Sequence, residues 1–294
     1  MVQVTQPLKF RTLKLKNRVI RAGHTSVRGD QPGHSLAASF DWELRFAEAG
    51  VGAIISPLAV VRPSGLPLEL SAIHPCWAEH VSRVHANGCP YILRIGQGNS
   101  MHEEPTAAEL QDLIRGFGEA ARAARDAGAA GVEIDAARGS VIAQFLAPGM
   151  EDRTDGYRGS AENRGRLARE IVQAVRHSVG PAFHVQVRLG ASSPLGMMAA
   201  GTLELVRRLE EDGIDAIHLT PDGDHPGAQA DGPVGFASRY VKDVAGVPVL
   251  RNGLFPTSDS IRTALESGSC DAVTLTRPLI RQTTASELGT KQAA

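Results

Sequence analysis

The sequence predicts an α/β protein, a single (β/α)8 TIM barrel that covers residues 1–294 and carries an N-terminal β-hairpin plug. First, eight short apolar runs alternate with eight stretches of helical periodicity, the pattern of a parallel barrel. Second, the first run ends in Gly23-His24-Thr25-Ser26 and lacks the G-x-G-x-x-G turn typical of the alternative, a doubly wound open sheet. Third, no linker or low-complexity segment divides the chain.

The hairpin and the strands are predicted from apolar residues bounded by turn residues. Residues Pro7–Lys16 alternate apolar and basic side chains around Arg11-Thr12, which favours a small hairpin at the bottom of the barrel. The eight strands that follow are predicted over Val19–Gly23, Ala53–Ser56, Tyr91–Ile95, Gly131–Ile134, His184–Leu189, Ala216–Thr220, Pro248–Asn252 and Ala272–Arg277.

The helices are predicted from apolar residues at helical spacing and from capping residues. Thr106-Ala-Ala-Glu109 is a capping box that starts one helix, and Ser160 starts another. Gly50 and Gly128 follow the ends of two predicted helices, where glycine is favoured. The other helices are predicted over Ala37–Ala49, Ala78–Ala86, Thr202–Asp212, Ser238–Val244 and Thr257–Glu266, with a final short helix opened by Pro278.

Composition indicates a cytoplasmic protein without a nucleic-acid or membrane partner. The net charge of -1 gives no basic surface for nucleic acid or anionic lipid. The apolar runs are far shorter than the roughly 20 residues of a spanning helix, and the N-terminus lacks the apolar region of a signal peptide. The cysteines (Cys76, Cys89 and Cys270) have no metal-ligand spacing, so we expect reduced thiols and no metal site.

Candidate catalytic residues are predicted from their positions, because the active site of a (β/α)8 barrel lies at the carboxyl ends of its strands. Asp135 and Arg138 directly follow the fourth strand. They are interpreted either as an acid/base or substrate-anchoring pair or as a plain ion pair. His24 and His218 lie at or near the ends of strands one and six. Each is a candidate general base, because imidazole titrates near neutral pH, or else a histidine that is simply hydrogen-bonded.

Four segments of the chain carry a family pattern. They read PLKFRTLKLKNRVIRAG at 7–23, RTDGYRGSAENRGRLAREIVQAVR at 153–176, VQVRLG at 185–190 and PVLRNGLFPTSDSIRTALESGSCDAVTLTRPLI at 248–280. Together they resemble the old yellow enzyme family, whose members are NADH:flavin oxidoreductase-like, FMN-dependent (β/α)8 barrels. The resemblance covers nearly the whole chain, and RTD-x-Y-x-GS-x-ENR-x-R is a highly specific run. It implies FMN as the cofactor and NAD(P)H as the reductant.

The resemblance also implies which residues bind FMN. Arg188 matches the arginine that faces the flavin N1/O2 edge, and Thr25 matches the residue that tunes the flavin from strand one. Gly253 and Arg277 match a phosphate site of backbone N–H groups and a guanidinium. Arg94 stands where the family has a glutamine at the pyrimidine edge. The cofactor-binding residues predicted in this way are Ala22, Thr25, Arg94, Arg188, Asn252, Gly253, Thr276 and Arg277.

The substrate site departs from the family pattern. Asp135, Arg138 and Ser140 occupy the positions of the family's substrate-binding histidine pair and proton-donating tyrosine. An ionised Asp135 only accepts hydrogen bonds, whereas Arg138 donates them. Residues 96–105 replace a longer family lid. The pocket is therefore expected to be more open or to be closed by a second copy, which is compatible with a homo-oligomer.

These observations favour an FMN-dependent oxidoreductase that acts on a small carbonyl-bearing or anionic organic substrate. In this hypothesis NAD(P)H reduces FMN, and Arg188 stabilises the reduced flavin. Arg138, together with Arg94, holds the substrate, while Asp135 orients Arg138 or acts as a base. The main alternative is a flavin-independent or non-redox enzyme on the same fold (an isomerase, dehydratase or cyclase), because the family's substrate groups are replaced. A third alternative is a non-catalytic partner subunit.

Overall fold

A closed barrel of eight parallel strands, with helices between the strands, confirms the predicted (β/α)8 fold in the computed structural model. The structure describes residues 3–23, 36–61, 68–97, 104–137, 139–147, 155–191, 200–221, 233–253, 255 and 257–276. An antiparallel hairpin precedes the barrel, as predicted. Among the described residues, no helix combines the length and the apolar character that a bilayer crossing requires.

The hairpin strands and the barrel strands have short, well-defined bounds. They are β1 (Leu8–Lys9), β2 (Lys14–Leu15), β3 (Val19–Ala22), β4 (Ala53–Val60), β5 (Tyr91–Gly96), β6 (Gly131–Ala136), β7 (His184–Gly190), β8 (Ala216–Thr220), β9 (Val249–Asn252) and β10 (Ala272–Leu275). The barrel strands pair in chain order from β3 to β10, and β10 pairs with β3 to close the barrel.

The described helices lie on the outer surface of the barrel. They are α1 (Leu36–Glu48), α2 (Leu68–His85), α3 (Ala107–Asp126), α4 (Val141–Leu146), α5 (Ala161–Val179), α6 (Ala200–Glu211), α7 (Pro233–Val244) and α8 (Ser258–Glu266). The capping box of Thr106 and Glu109 is present at the start of α3, and Ser160 caps α5, so both predicted helix starts are confirmed.

Three helices differ from the prediction, and one of them, α7, begins at Pro233 rather than at the predicted Ser238. Helix α2 begins at Leu68, well before the predicted Ala78, and it contains Pro75. Proline usually ends a helix, because it lacks an N–H and clashes with the preceding turn, yet α2 continues through Pro75. Helix α4 is not among the predicted helices, and Ser140 caps it by accepting from the Ala143 N–H at 3.0 Å. The final helix predicted after Pro278 lies outside the described residues.

Inward and outward side chains alternate along each barrel strand, as the pleat of a strand requires. At the amino ends, the interior is apolar and is filled by residues such as Ile20, Ile92 and Leu250. Two residues further along, the inward positions become polar, beginning with Arg94 on β5 and its neighbour Glu133 on β6. The apolar lower layer therefore supports a polar layer nearer the carboxyl ends of the strands.

The hairpin closes the bottom of the barrel through apolar and polar contacts. Leu8, Phe10 and Leu15 belong to the same buried cluster as the lower barrel layer. The ring of Phe10 lies 5.0 Å from the ring of His184, edge to face. Thr12 Oγ1 lies 3.1 Å from His184 Nδ1, so the hairpin is also hydrogen-bonded to the first inward residue of β7.

Asp215 connects the hairpin to a helix and a strand of the barrel. Its side chain is fully buried and accepts hydrogen bonds from Arg11 Nε at 3.0 Å, from Arg176 Nη2 at 2.9 Å and from the Val185 N–H at 2.9 Å. Charge-assisted bonds of this kind are stronger than neutral ones. Asp215 therefore ties together β2's hairpin, helix α5 and strand β7.

We expect Asp215→Ala to lower the free energy of unfolding by about 3–5 kcal/mol, because it removes one partner of a buried ion pair and leaves Arg176 without its carboxylate. The measurement is equilibrium denaturant unfolding. The matched control is Asp259→Ala, because Asp259 pairs with Arg262 on the exposed surface of α8 and exposed pairs contribute little. If the two variants are equally stable, the hydrogen bonds that Asp215 accepts do not hold the hairpin against the barrel.

Candidate active site

A fully buried carboxylate organises the polar layer inside the barrel. Glu133 Oε1 accepts from Arg94 Nε at 2.7 Å. Glu133 Oε2 accepts from Gln186 Nε2 at 2.5 Å and lies 2.7 Å from His218 Nδ1. The side chains of these residues come from four consecutive strands, β5 to β8. Glu133 is thus surrounded by hydrogen-bond donors, as a buried carboxylate must be.

The protonation states in this layer are set by burial and by neighbouring charge. Burial acts to raise the pKa of Glu133, but His218 and Arg94 outweigh it and hold this pKa well below its usual range. Burial lowers the pKa of His218, although Glu133 acts in the opposite direction. Near neutral pH, Glu133 is therefore an anion, and neutral His218 donates its single N–H from Nδ1 to that anion.

The Arg94 side chain lies inside the barrel, beneath the opening at the carboxyl ends of the strands, which we call the mouth. It is 2% exposed, and besides Glu133 it binds the backbone at the end of β3, where Nη1 donates to the Gly23 carbonyl at 2.9 Å. The hypothesis that Arg94 helps to hold a substrate therefore loses its physical basis, because the guanidinium is buried and already bonded on two sides. Arg94 instead fixes the backbone next to the mouth.

A second ion pair lies above this layer, at the mouth. Arg188 Nη1 donates to both oxygens of Asp135, at 2.8 and 3.1 Å, and Arg188 Nη2 donates to Thr220 Oγ1 at 3.2 Å. The Ala137 N–H also donates to Asp135 Oδ1 at 3.1 Å. The Arg188 side chain is 19% exposed and that of Asp135 is 9% exposed, so the arginine reaches the opening while the carboxylate lies behind it.

The third side of the mouth is formed by the ends of β9 and β10. Asn252 Nδ2 donates to Thr274 Oγ1 at 3.0 Å and to Thr276 Oγ1 at 3.3 Å. Gly253 follows directly, and a Cβ added there would come within 3.3 Å of the Phe255 ring. The backbone of Gly253 therefore has close neighbours that leave little room for a side chain.

The structure brings most of the predicted site residues together. Asp135, Arg188 and His218 lie in two adjacent layers, with Asn252, Gly253 and Thr276 beside them and Ala22 buried at the end of β3. His218 is fully buried and both its ring nitrogens are hydrogen-bonded, which places it beneath the mouth. The predicted residues that lie outside the described part of the chain are His24, Thr25, Arg138 and Arg277.

Four polar residues of the site were not predicted. Glu133, Gln186 and Thr274 lie in the buried layer, and Thr220 lies at the mouth. The sequence carries a signal for the first two, because Glu133 precedes Asp135 by two positions and Gln186 precedes Arg188 by two. With a side-chain period of two, each pair shares the inner face of its strand.

The donors and acceptors at the mouth fit the ring system of FMN. A partly exposed guanidinium, a threonine hydroxyl and an asparagine amide lie near the carboxyl ends of β7, β8 and β9. A flavin pyrimidine ring carries carbonyl oxygens and an N–H, which are the matching groups. Of the residues predicted from the resemblance for the phosphate end, Gly253 and Thr276 lie in the described ranges and Arg277 lies outside them.

Comparison with known proteins also points to a flavin oxidoreductase family. Residues 82–287 match the model of the NADH:flavin oxidoreductase / NADH oxidase family. A bilirubin reductase of Mediterraneibacter gnavus is 26% identical over 95% of this chain and 50% of its own length. An NADPH dehydrogenase of Geobacillus thermodenitrificans is 32% identical over 69% of this chain and 62% of its own length.

Morphinone reductase has a similar fold. Its structure superposes with a TM-score of 0.79, at 24% identity, over 95% of this chain and 87% of that one. At this identity the likeness concerns the fold. The chain spans about half to three fifths of the length of the two relatives compared by sequence.

We expect Glu133→Gln to lower the free energy of unfolding by about 3 kcal/mol, because Arg94 is then left as a buried charge without its counterion. The double variant Arg94→Gln/Glu133→Gln removes both charges and should recover part of the loss. Denaturant unfolding measures both. The control is Glu204→Gln, which removes an exposed partner of Arg208 on α6. If Glu133→Gln is as stable as the control, the ion pair does not organise the layer.

Proposed function

The chain belongs to the NADH:flavin oxidoreductase / NADH oxidase family, the old yellow enzyme family, and from this premise we propose that the protein is an FMN-dependent oxidoreductase. Family membership implies FMN as the bound cofactor and NAD(P)H as the source of electrons. The single observation that carries the proposal is Arg188, a cation at the mouth whose position is fixed by Asp135 and Thr220.

Arg188 has the properties that a flavin site requires. A guanidinium is a permanent cation, and in a partly buried place it attracts negative charge more strongly than it would in water. Asp135 and Thr220 hold two of its nitrogens, so its orientation is set before a ligand binds. We therefore assign Arg188 to the pyrimidine edge of FMN, where negative charge accumulates on reduction.

The other residues act by positioning. Arg94 donates to the Gly23 carbonyl and so holds the end of β3 in place. Gly253, Thr276 and Arg277 are assigned to the phosphate part of the cofactor, and Asn252 is assigned to its polyol or its pyrimidine ring. When bound, FMN supplies hydride transfer between a nicotinamide and an acceptor. The protein's own contribution is then to bind, orient and balance charge at the mouth.

The substrate belongs to the proposal. We propose a small carbonyl-bearing or anionic organic molecule, because Arg138 follows the mouth residue Asp135 in the sequence and can donate to an oxyanion. The non-redox alternative needs a free acid or base at the mouth. Asp135 is a poor candidate, because both its oxygens already accept from Arg188. The redox proposal is therefore the better supported of the two.

The direct test is a titration of the purified protein with FMN, followed by addition of NADH or NADPH. We expect binding, a visible flavin spectrum and bleaching by one of the two nucleotides. Arg188→Leu should weaken FMN binding by about tenfold or more, because it removes a charge-assisted hydrogen bond. Arg208→Leu, which changes an exposed arginine on α6, should leave the affinity unchanged.

Three results of this titration would contradict the proposal. If the wild-type protein does not bind FMN, the proposal of an FMN-dependent enzyme is wrong. Bound FMN that neither nucleotide reduces would favour the non-redox alternative. Equal FMN affinity of Arg188→Leu and Arg208→Leu would remove Arg188 from the cofactor site.

Asp135 should set the reduction potential of bound FMN. Its carboxylate neutralises Arg188, so Asp135→Asn leaves the guanidinium with more of its positive field and favours the electron-rich, reduced cofactor. We expect the potential to rise by about 30 mV or more, which for two electrons is about 1.4 kcal/mol. A dye-coupled reductive titration measures it. Asp259→Asn, on the exposed face of α8, is the control. An unchanged or lower potential would contradict this role.

A further inference from the structure

The buried carboxylate of Glu133 fixes the direction of a chain of hydrogen bonds that runs toward the mouth. Ionised Glu133 can only accept, so His218 must donate to it from Nδ1, across 2.7 Å. Neutral imidazole has one N–H, and Nε2 is therefore left with a lone pair. That lone pair faces Thr274 Oγ1 at 2.8 Å, so the Thr274 hydroxyl must donate to His218.

The same logic continues to Asn252. Because the proton of the Thr274 hydroxyl points to His218, its oxygen accepts from the neighbouring amide, and the contact is Asn252 Nδ2 at 3.0 Å. An independent contact agrees, because Asn252 Nδ2 also lies 3.2 Å from the Thr274 backbone carbonyl, which can only accept. Two separate constraints therefore turn the amide N–H groups of Asn252 inward.

The consequence concerns the other end of the amide. No residue in the described ranges donates to Asn252 Oδ1, and the side chain is half-buried at the mouth. Asn252 directly follows Arg251, which pairs with Leu219 next to Thr220, and Thr220 is the residue to which Arg188 donates. Asn252 therefore lies on β9 next to β8, the strand that carries Thr220, and its Oδ1 is an acceptor at the carboxyl ends of these strands.

We propose that Asn252 presents Oδ1 as a fixed acceptor for an O–H or N–H group of the bound cofactor, and that Glu133, His218 and Thr274 are the positioning residues that set this orientation. The inference rests on the proposed function, because it takes FMN as the ligand. It gives His218 a role beneath the mouth, in place of the general base considered from the sequence. It also explains why a histidine and a carboxylate are paired in a layer that is closed to solvent.

The cofactor has two kinds of donor that fit this acceptor. The hydroxyl groups of its polyol chain donate through O–H, and the pyrimidine ring donates through N–H. Both satisfy the same geometric requirement, so the choice between them is made with cofactor fragments. Riboflavin retains the polyol, whereas lumiflavin has a methyl group in its place and retains the ring N–H.

The first measurement is the 15N NMR spectrum of protein labelled at histidine, which needs no ligand. We expect His218 to be neutral near pH 7, with a protonated Nδ1 and an unprotonated Nε2. Thr274→Val should shift the Nε2 resonance, because it removes the donor, and Thr274→Ser should restore it. If His218 is protonated at Nε2, the assigned donor and acceptor roles from Glu133 to Thr274 are wrong, and the proposed orientation of Asn252 is wrong with them.

The second measurement compares the affinities of Asn252→Leu, Thr274→Val and Thr274→Ser for FMN with that of the wild type. Asn252→Leu should weaken binding by about fivefold to tenfold, the value of one hydrogen bond. Thr274→Val should weaken it by about twofold to threefold, and Thr274→Ser should restore wild-type affinity. Unfolding free energies are measured in parallel, because a purely structural defect would lower stability without this order of affinities.

The outcomes separate the inference from the function on which it rests. If the wild type does not bind FMN, the proposed function and this inference both fall. If the wild type binds FMN and Asn252→Leu binds it equally well, only this inference falls. If the loss in Asn252→Leu is seen with riboflavin but not with lumiflavin, the donor is a polyol hydroxyl. An equal loss with lumiflavin assigns the ring N–H.

Discussion

The ionised carboxylate of Glu133, enclosed in the barrel, is the constraint on which the site depends. A buried anion is tolerated only when donors and a counterion surround it, and here Arg94, Gln186 and His218 fill these roles. Each of these contacts fixes a neighbour in turn. Arg94 holds the Gly23 carbonyl, and His218 sets the direction of the hydrogen bonds that reach Asn252.

At the mouth, a second carboxylate is likewise paired with an arginine, but this pair has more access to solvent. Asp135 and Arg188 form a second ion pair directly above the first, but the arginine is partly exposed. A cation that is both held in place and partly neutralised offers a ligand a defined but moderate positive field. The buried layer gives rigidity, and the partly exposed layer carries the groups that we assign to the cofactor under the proposed function.

Most of the fold was predictable because each element carries its own local signal. The capping box at Thr106 and Glu109 and the cap at Ser160 start helices where the sequence indicated. The errors have local causes as well. Helix α2 continues through Pro75, a residue that disfavours a helix interior, and α4 has only 6 residues, too few for a clear helical periodicity. In both places tertiary packing outweighed a weak or misleading local preference.

The sequence by itself determined the order of the elements, the face on which each strand residue lies and the presence of charged residues at the strand ends. Only the tertiary structure decided their partners. Asp135 binds Arg188, which follows 53 positions later on the neighbouring strand, and no pattern in the sequence indicated this partner. Arg94 was placed at the mouth and instead turns inward to Glu133. Such contacts depend on the register of adjacent strands, which closure of the barrel sets and which no spacing along the chain encodes.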